Sequence, residues 1–104
     1  MSAKDNQFVA GFYGIENQLI QTAEEAAELS QAAIKRYRSL KSGNASESKA
    51  ARQHLLEEIA DVLNMIQQIN YIEGFEDSEI GAIMEEKTLR QIRRIRGEAD
   101  DDVG

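Results

Sequence analysis

The stretch IENQLIQTAEEAAELSQAAIKRYRSLKSGNAS, Ile15 to Ser46, decides how the chain folds. Ile15, Leu19, Ala23, Ala26, Ala33, Tyr37 and Leu40 recur at helical steps, which places them on one side of an α-helix running from about Tyr13 or Ile15 to about Lys41. Ser42 to Ser46 then brings in glycine and asparagine, which tolerate helix-ending conformations. A second helix, from about Ser48 to Tyr71, carries Leu55, Ile59, Val62, Ile66 and Ile69 on its inner face, and Gly74 stops it. Asp77 or Ser78 caps a third helix that runs to about Arg96. Strand-like alternation is absent. The expected fold is all-α, an antiparallel helical bundle of three long helices completed by oligomerisation.

At 104 residues the chain makes one domain with a modest core, small enough that association would help it bury more surface. The helical domain is expected over residues 13–96. Residues 1–12 are expected to be flexible or a short helix, and residues 97–104 a disordered acidic tail. Nineteen acidic against twelve basic residues give a net charge of -7, which argues against duplex nucleic acid or an anionic membrane surface as the main partner. The absence of cysteine excludes a disulfide framework and a thiolate metal site, and the N-terminus lacks a secretory pattern, so the expected location is cytoplasmic. No apolar run approaches the roughly twenty residues of a membrane span. Asn44-Ala45-Ser46 matches a glycosylation sequon, but the turn of a helical hairpin accounts for it.

The first two helices each carry an acidic doublet followed three residues later by another acid: Glu24, Glu25 and Glu28, then Glu57, Glu58 and Asp61. With the apolar stripe of each helix as zero and about 100° per residue, Glu25 lies near about -100° and Glu28 near about -160°, Glu58 near about -80° and Asp61 near about -140°. Two antiparallel helices on a common core are related by an approximate two-fold axis, so flanks of equal sense face each other. The pairs stand about 18 residues before and about 15 after the hairpin centre, a mismatch of only about 5 Å at about 1.5 Å per residue. Glu25, Glu28, Glu58 and Asp61 should therefore converge on one groove, with Glu24 and Glu57 on the solvated side. Four like charges in a partly desolvated groove repel, so something positive belongs there. Magnesium, with manganese as a substitute, fits as a hard cation that takes oxygen ligands and bridges carboxylates to phosphates.

On the third helix Ile80, Ile83, Met84, Lys87, Gln91 and Arg94 share a face that turns from apolar to cationic halfway along. A lysine on an inward face needs a partner. Either Lys87 and Arg94 form structural salt bridges, or Lys87, with Arg90 or Arg94, binds phosphate oxygens; Arg93 and Arg96 look solvent-facing. His54 lies one turn before Glu58 on the acidic flank, and Gln18, Gln21 and Asn64 lie on or beside the carboxylate flanks, where amides read a base or hold waters.

Three segments, YGIENQLIQTAEEAAELSQA (Tyr13 to Ala32), HLLEEIADVLNMI (His54 to Ile66) and GFEDSEIGAIMEEKTLRQIRRI (Gly74 to Ile95), together resemble the MazG-like all-α nucleoside triphosphate pyrophosphohydrolases, especially the short single-domain members. The resemblance implies hydrolysis of a nucleoside triphosphate between its α- and β-phosphates. It further implies magnesium held by the two acidic pairs, phosphate contacts from the lysine/arginine helix, and a homodimer or homotetramer. The linker between the acidic pairs is on the long side for that family. Phosphoribosyl-ATP pyrophosphohydrolases and dimeric dUTP hydrolases are related alternatives, and a helical interaction module whose acids merely solvate the bundle is the non-enzymatic one.

Overall fold

The computed structural model describes residues 3–98, and among them every regular element is helical: α1 Ala3–Tyr13, α2 Ile15–Ser42, α3 Ala45–Glu73 and α4 Asp77–Ile95. The long helices thus match the periodicity to within a few residues at each end. α1 is an additional, shorter helix at the N-terminus. Met1, Ser2 and most of the acidic tail, residues 99–104, lie outside the described residues. The chain divides into two compact units between Glu73 and Gly74, so α1 to α3 form one and α4 belongs to the other. Among the described residues no helix is long and apolar enough to cross a membrane.

Between α2 and α3 the turn is two residues long because each residue does one job. Gly43 takes the left-handed conformation that ends α2, at φ 71°. Asn44 caps α3, its Oδ1 accepting from the Glu47 backbone N–H at 3.0 Å. Near the turn, Arg36 on α2 donates to the Ser48 carbonyl and hydroxyl oxygens at 2.9 and 2.6 Å. The α2 and α3 helices therefore run antiparallel in a fixed register. α1 reverses into α2 at Gly14, φ 82°, and packs on α2 and α3.

The hairpin seam does not follow the expected apolar stripe. On α2 the least exposed positions are Ile15, Gln18, Thr22, Glu25, Leu29, Ala32, Arg36 and Ser39, a continuous three-four spacing. On α3 they include Ser48, Ala51, Leu55, Glu58, Val62, Met65, Ile69 and Ile72, with the same spacing. Leu55, Val62 and Ile69 lie in the seam as expected, but Leu19, Ala23, Ala26, Ala33, Tyr37 and Leu40, and Ile59 and Ile66 opposite, are exposed. Small side chains, Ala32 and Ser39 on α2 and Ser48 and Ala51 on α3, occupy the part of the seam nearer the turn. Leu19, Ala26, Ala33 and Leu40 each directly follow a seam residue, as do Ile59 and Ile66. They sit about 100° to one side and form one broad apolar face of the two-helix layer.

On the opposite broad face α1 is held by carboxamides. Asn6 Nδ2 donates to Gln67 Oε1 at 2.6 Å and, more weakly, to Asn64 Oδ1 at 3.4 Å, while Gln68 Nε2 donates to Asn6 Oδ1 at 3.0 Å. Gln18 on α2 completes the relay by donating from Nε2 to Gln68 Oε1. Asn6, Gln18 and Gln68 are all buried, and a buried amide is tolerable only when hydrogen-bonded, so the relay fixes α1, α2 and α3 against one another.

In the second unit α4 begins one residue earlier than an Asp77 or Ser78 cap requires. Glu76 occupies the cap position, with its backbone N–H donating to Glu79 Oε1 at 3.1 Å. Gly43→Ala tests the turn. A Cβ there meets nothing within 4 Å, so the penalty is purely conformational, about 1–2 kcal/mol, read as a lower urea midpoint at fixed protein concentration.

Candidate metal centre

Seam position decides which carboxylates meet. Glu25 and Glu58 both occupy the α2–α3 seam, and Asp61, one turn after Glu58, lies at its edge. One carboxylate oxygen from each of the three falls within 4.8 Å of the others. Glu58 is 9% exposed, Glu25 partly buried and Asp61 exposed. Glu28 is exposed and outside this group, although it stands at the same offset of about 60° from Glu25 as Asp61 does from Glu58. Glu24 and Glu57 are exposed, as expected for the solvated side.

Each seam glutamate is held by the residue one turn before it. Gln21 Nε2 donates to Glu25 Oε1 at 3.0 Å, and His54 Nε2 lies 3.1 Å from Glu58 Oε1. The two supports are related by the same pseudo-two-fold as the glutamates. The other oxygens, Glu25 Oε2 and Glu58 Oε2, are buried and find no hydrogen-bond partner among the described residues. Desolvated carboxylate oxygens without donors are expensive, and a second negative group nearby adds Coulomb repulsion.

A hard cation fits this donor set, since all three groups offer anionic oxygen. Magnesium binds oxygen at about 2.1 Å, so opposed ligands stand about 4.2 Å apart, and the observed spread of up to 4.8 Å closes to that by less than about 1 Å. The longer bonds of calcium, about 2.4 Å, span the spread as it stands.

Beside the carboxylates lies an open pocket of about 490 Å³, lined by Val9 and Tyr13 of α1, Asn17, Gln18, Ile20 and Gln21 of α2, and Met65 and Gln68 of α3. Gln21 belongs to both places: it lines the pocket and holds Glu25. Asn64 is engaged in the α1 relay through its contact with Asn6. Sequence reasoning did not single out Asn6, Val9, Asn17, Met65 or Gln68. The signal that finds Met65 is the three-four spacing that also contains Glu58, with Gln68 three residues further on, whereas α1 offers no periodic pattern strong enough to dock it.

On α4, Lys87, Arg90, Gln91 and Arg94 line a shallow concavity of about 270 Å³. Arg90 is the buried cation of this helix, at 8% exposure; Lys87, expected on the inward face, is exposed, as are Arg94 and Arg96. Arg93 is partly buried instead of solvent-facing.

Comparisons with family models, with curated proteins and with solved structures find no match for this chain. The carboxylate geometry alone makes a prediction. Removing one of two facing buried charges relieves repulsion, so metal-free Glu58→Gln is as stable as the parent chain or more stable, by up to about 1–2 kcal/mol. Thermal unfolding in chelator reads the sign, and a clear loss of stability would contradict the unpartnered geometry.

Proposed function

We propose that the chain is a magnesium-dependent nucleoside triphosphate pyrophosphohydrolase of the MazG-like kind, cleaving between the α- and β-phosphates to give a monophosphate and pyrophosphate. The observation that carries this reading is the pair of inward oxygens, Glu25 Oε2 and Glu58 Oε2, desolvated and without a donor beside Asp61. A carboxylate pair of this kind is a poor structural element and a good cation ligand.

On this reading Glu25, Glu58 and Asp61 hold magnesium, or manganese in its place. When bound, the ion offsets phosphate charge and makes a water more acidic. The side chains divide the remaining work. Gln21 and His54 fix one oxygen of each seam glutamate, so that the other keeps its inward aim. Glu28, exposed one turn beyond Glu25, is the carboxylate left to accept a proton from the attacking water. The water oxygen bonds to phosphorus, the bridging phosphorus–oxygen bond breaks, and pyrophosphate carries away the electron pair. Lys87, Arg90 and Arg94 on α4 provide cationic groups suited to phosphate oxygens.

Association of copies into a homodimer or homotetramer belongs to the same proposal. Its support is the exposed apolar face of the hairpin, where Leu19 is 50%, Tyr37 62% and Leu40 61% exposed. Contiguous apolar surface of this kind marks an interaction site.

Two measurements test the reading. Purified protein with magnesium, given a panel of canonical and deoxynucleoside triphosphates, is expected to release pyrophosphate; no release from any of them overturns the proposal. Glu28→Gln should lose at least about a hundredfold in kcat, the usual range for a proton acceptor, and still bind the metal, whereas Glu58→Gln loses both. In light scattering the parent chain should weigh at least twice 11.6 kDa, and Ile66→Lys on the apolar face should shift it toward the single-chain mass.

A further inference from the structure

α1 meets the hairpin along one stripe. Asn6, Val9, Ala10 and Tyr13 stand at three- and four-residue steps, so they share one side of the helix. Asn6 and Ala10 are the buried residues of α1, at 3% and 0% exposure, and they alternate with Val9 and Tyr13, which line the pocket of about 490 Å³. The two phenylalanines take no part in docking: Phe8 and Phe12 are 75% and 74% exposed. Little apolar burial therefore holds this helix down, and its polar hold includes the Asn6 carboxamide, which meets Gln67, Gln68 and Asn64. A single residue, Gly14 at φ 82°, joins α1 to α2. Elements with little apolar burial lie at the low-stability end of a structure, and this one carries part of a pocket's wall.

The pocket has a buried floor that includes Gln18, Met65 and Gln68 and an exposed rim that includes Tyr13, Ile20 and Gln21. No charged side chain lines it, which suits neither a phosphate nor a carboxylate. A hydrocarbon ligand would strip water from the carboxamides and return no hydrogen bond. A nucleobase answers both demands. Its flat, uncharged faces pack on apolar and aromatic side chains, and its edge carries donors and acceptors for amides that themselves both donate and accept.

We propose that this pocket holds the base of a nucleotide, that α1 is its closing wall, and that Asn6 is the positioning residue that keeps the wall in place. Gln21 lines the pocket and holds Glu25, which sets the base half of a ligand next to the carboxylates; this link to the phosphates rests on the reading of the carboxylates as the triphosphate's metal site. A base that touches both α1 and the hairpin binds the docked arrangement alone. By linkage the base favours docking, and undocking weakens binding in proportion to the docked fraction.

Calorimetry with magnesium compares ligands that have a base, the non-hydrolysable α,β-imido analogues of dATP and dCTP, with inorganic tripolyphosphate, which has none. Asn6→Leu, close to the same size, leaves Gln67 and Gln68 without their partner. A docked fraction lowered to about a tenth makes the analogues bind about tenfold more weakly, while tripolyphosphate keeps its affinity. Tyr13→Ala, at a half-exposed position, should show the same split. In variants whose circular dichroism matches the parent chain, equal loss for both kinds of ligand, or loss for neither, overturns the proposal. Hydrogen exchange on the full chain reads docking directly: deoxyadenosine or deoxycytidine at millimolar concentration, without metal, should slow amide exchange in residues 6–13 of α1. Asn6→Leu should speed it, with α2 and α3 still protected. Exchange in α1 that neither nucleoside slows overturns the proposal. Nucleoside protection of α1 in a chain that binds neither the analogues nor tripolyphosphate leaves the pocket standing and removes the pyrophosphohydrolase reading. Tripolyphosphate binding without nucleoside protection does the reverse.

Discussion

Two glutamates face each other across the seam of a helical hairpin, each with a buried oxygen that has no donor among the described residues. Everything else in the first unit is arranged around that constraint. Repulsion at this level pushes α2 and α3 apart, so the hairpin has to be closed by other means on either side of it. Toward the turn, Gly43, Asn44, the Arg36 contacts with Ser48 and the small Ala32, Ser39, Ala51 surface do so. Toward the open end, the relay from Gln18 through Gln68 to Asn6 does so, with α1 as the clasp. α1 thus belongs to the site's support as much as to the fold.

The same constraint gives the two-helix layer two unlike faces. Polar and small residues fill the seam, so the larger apolar side chains are left on one broad face, while α1, the amide pocket and the carboxylate edge occupy the other. Among the described residues only Ala10, Ala32 and Met65 are buried apolar groups, too little burial for a chain of this length to rest on by itself. A second copy on the apolar face is the proposed remedy. It would leave the carboxylates and pocket open on the far side.

Periodicity made the helices legible, since long amphipathic runs punctuated by Gly43 and Gly74 admit few other readings. It did not make the inside of the hairpin legible. Leu19, Tyr37 and Leu40 mark the most apolar side of α2, yet the side facing α3 is the one with Gln18, Glu25 and Ser39. Apolar content ranks faces by their preference for burial and says nothing about which neighbour buries them. The grouping of Glu25 with Glu58 and Asp61 was nevertheless readable. Facing under a two-fold depends on equal offsets, not on where zero is set, and Glu25 and Glu58 both fall in the seam. Glu28 falls outside the group although its offset from Glu25 equals that of Asp61 from Glu58, so wheel angle alone does not separate these two exposed acids. The amide relay was not readable at all, because Asn6 and Asn64 are brought together only by the docking of α1.

Neutral side chains next to the carboxylates are what keep such a site usable. Among the described residues, none of Glu25, Glu58 and Asp61 forms an ion pair with a lysine or arginine. A cationic side chain in the seam would satisfy the orphaned oxygens, and it would also occupy the place a metal ion needs and lower the field that attracts it. Gln21 donates one hydrogen bond and brings no charge; it orients Glu25 without neutralising it. Within the hairpin the ionisable partner is His54, beside Glu58 Oε1 at 3.1 Å, so a cation serving the two remaining inward oxygens would have to come from outside. On the proposed reading that cation would be the metal ion, and its binding would stabilise the closed seam.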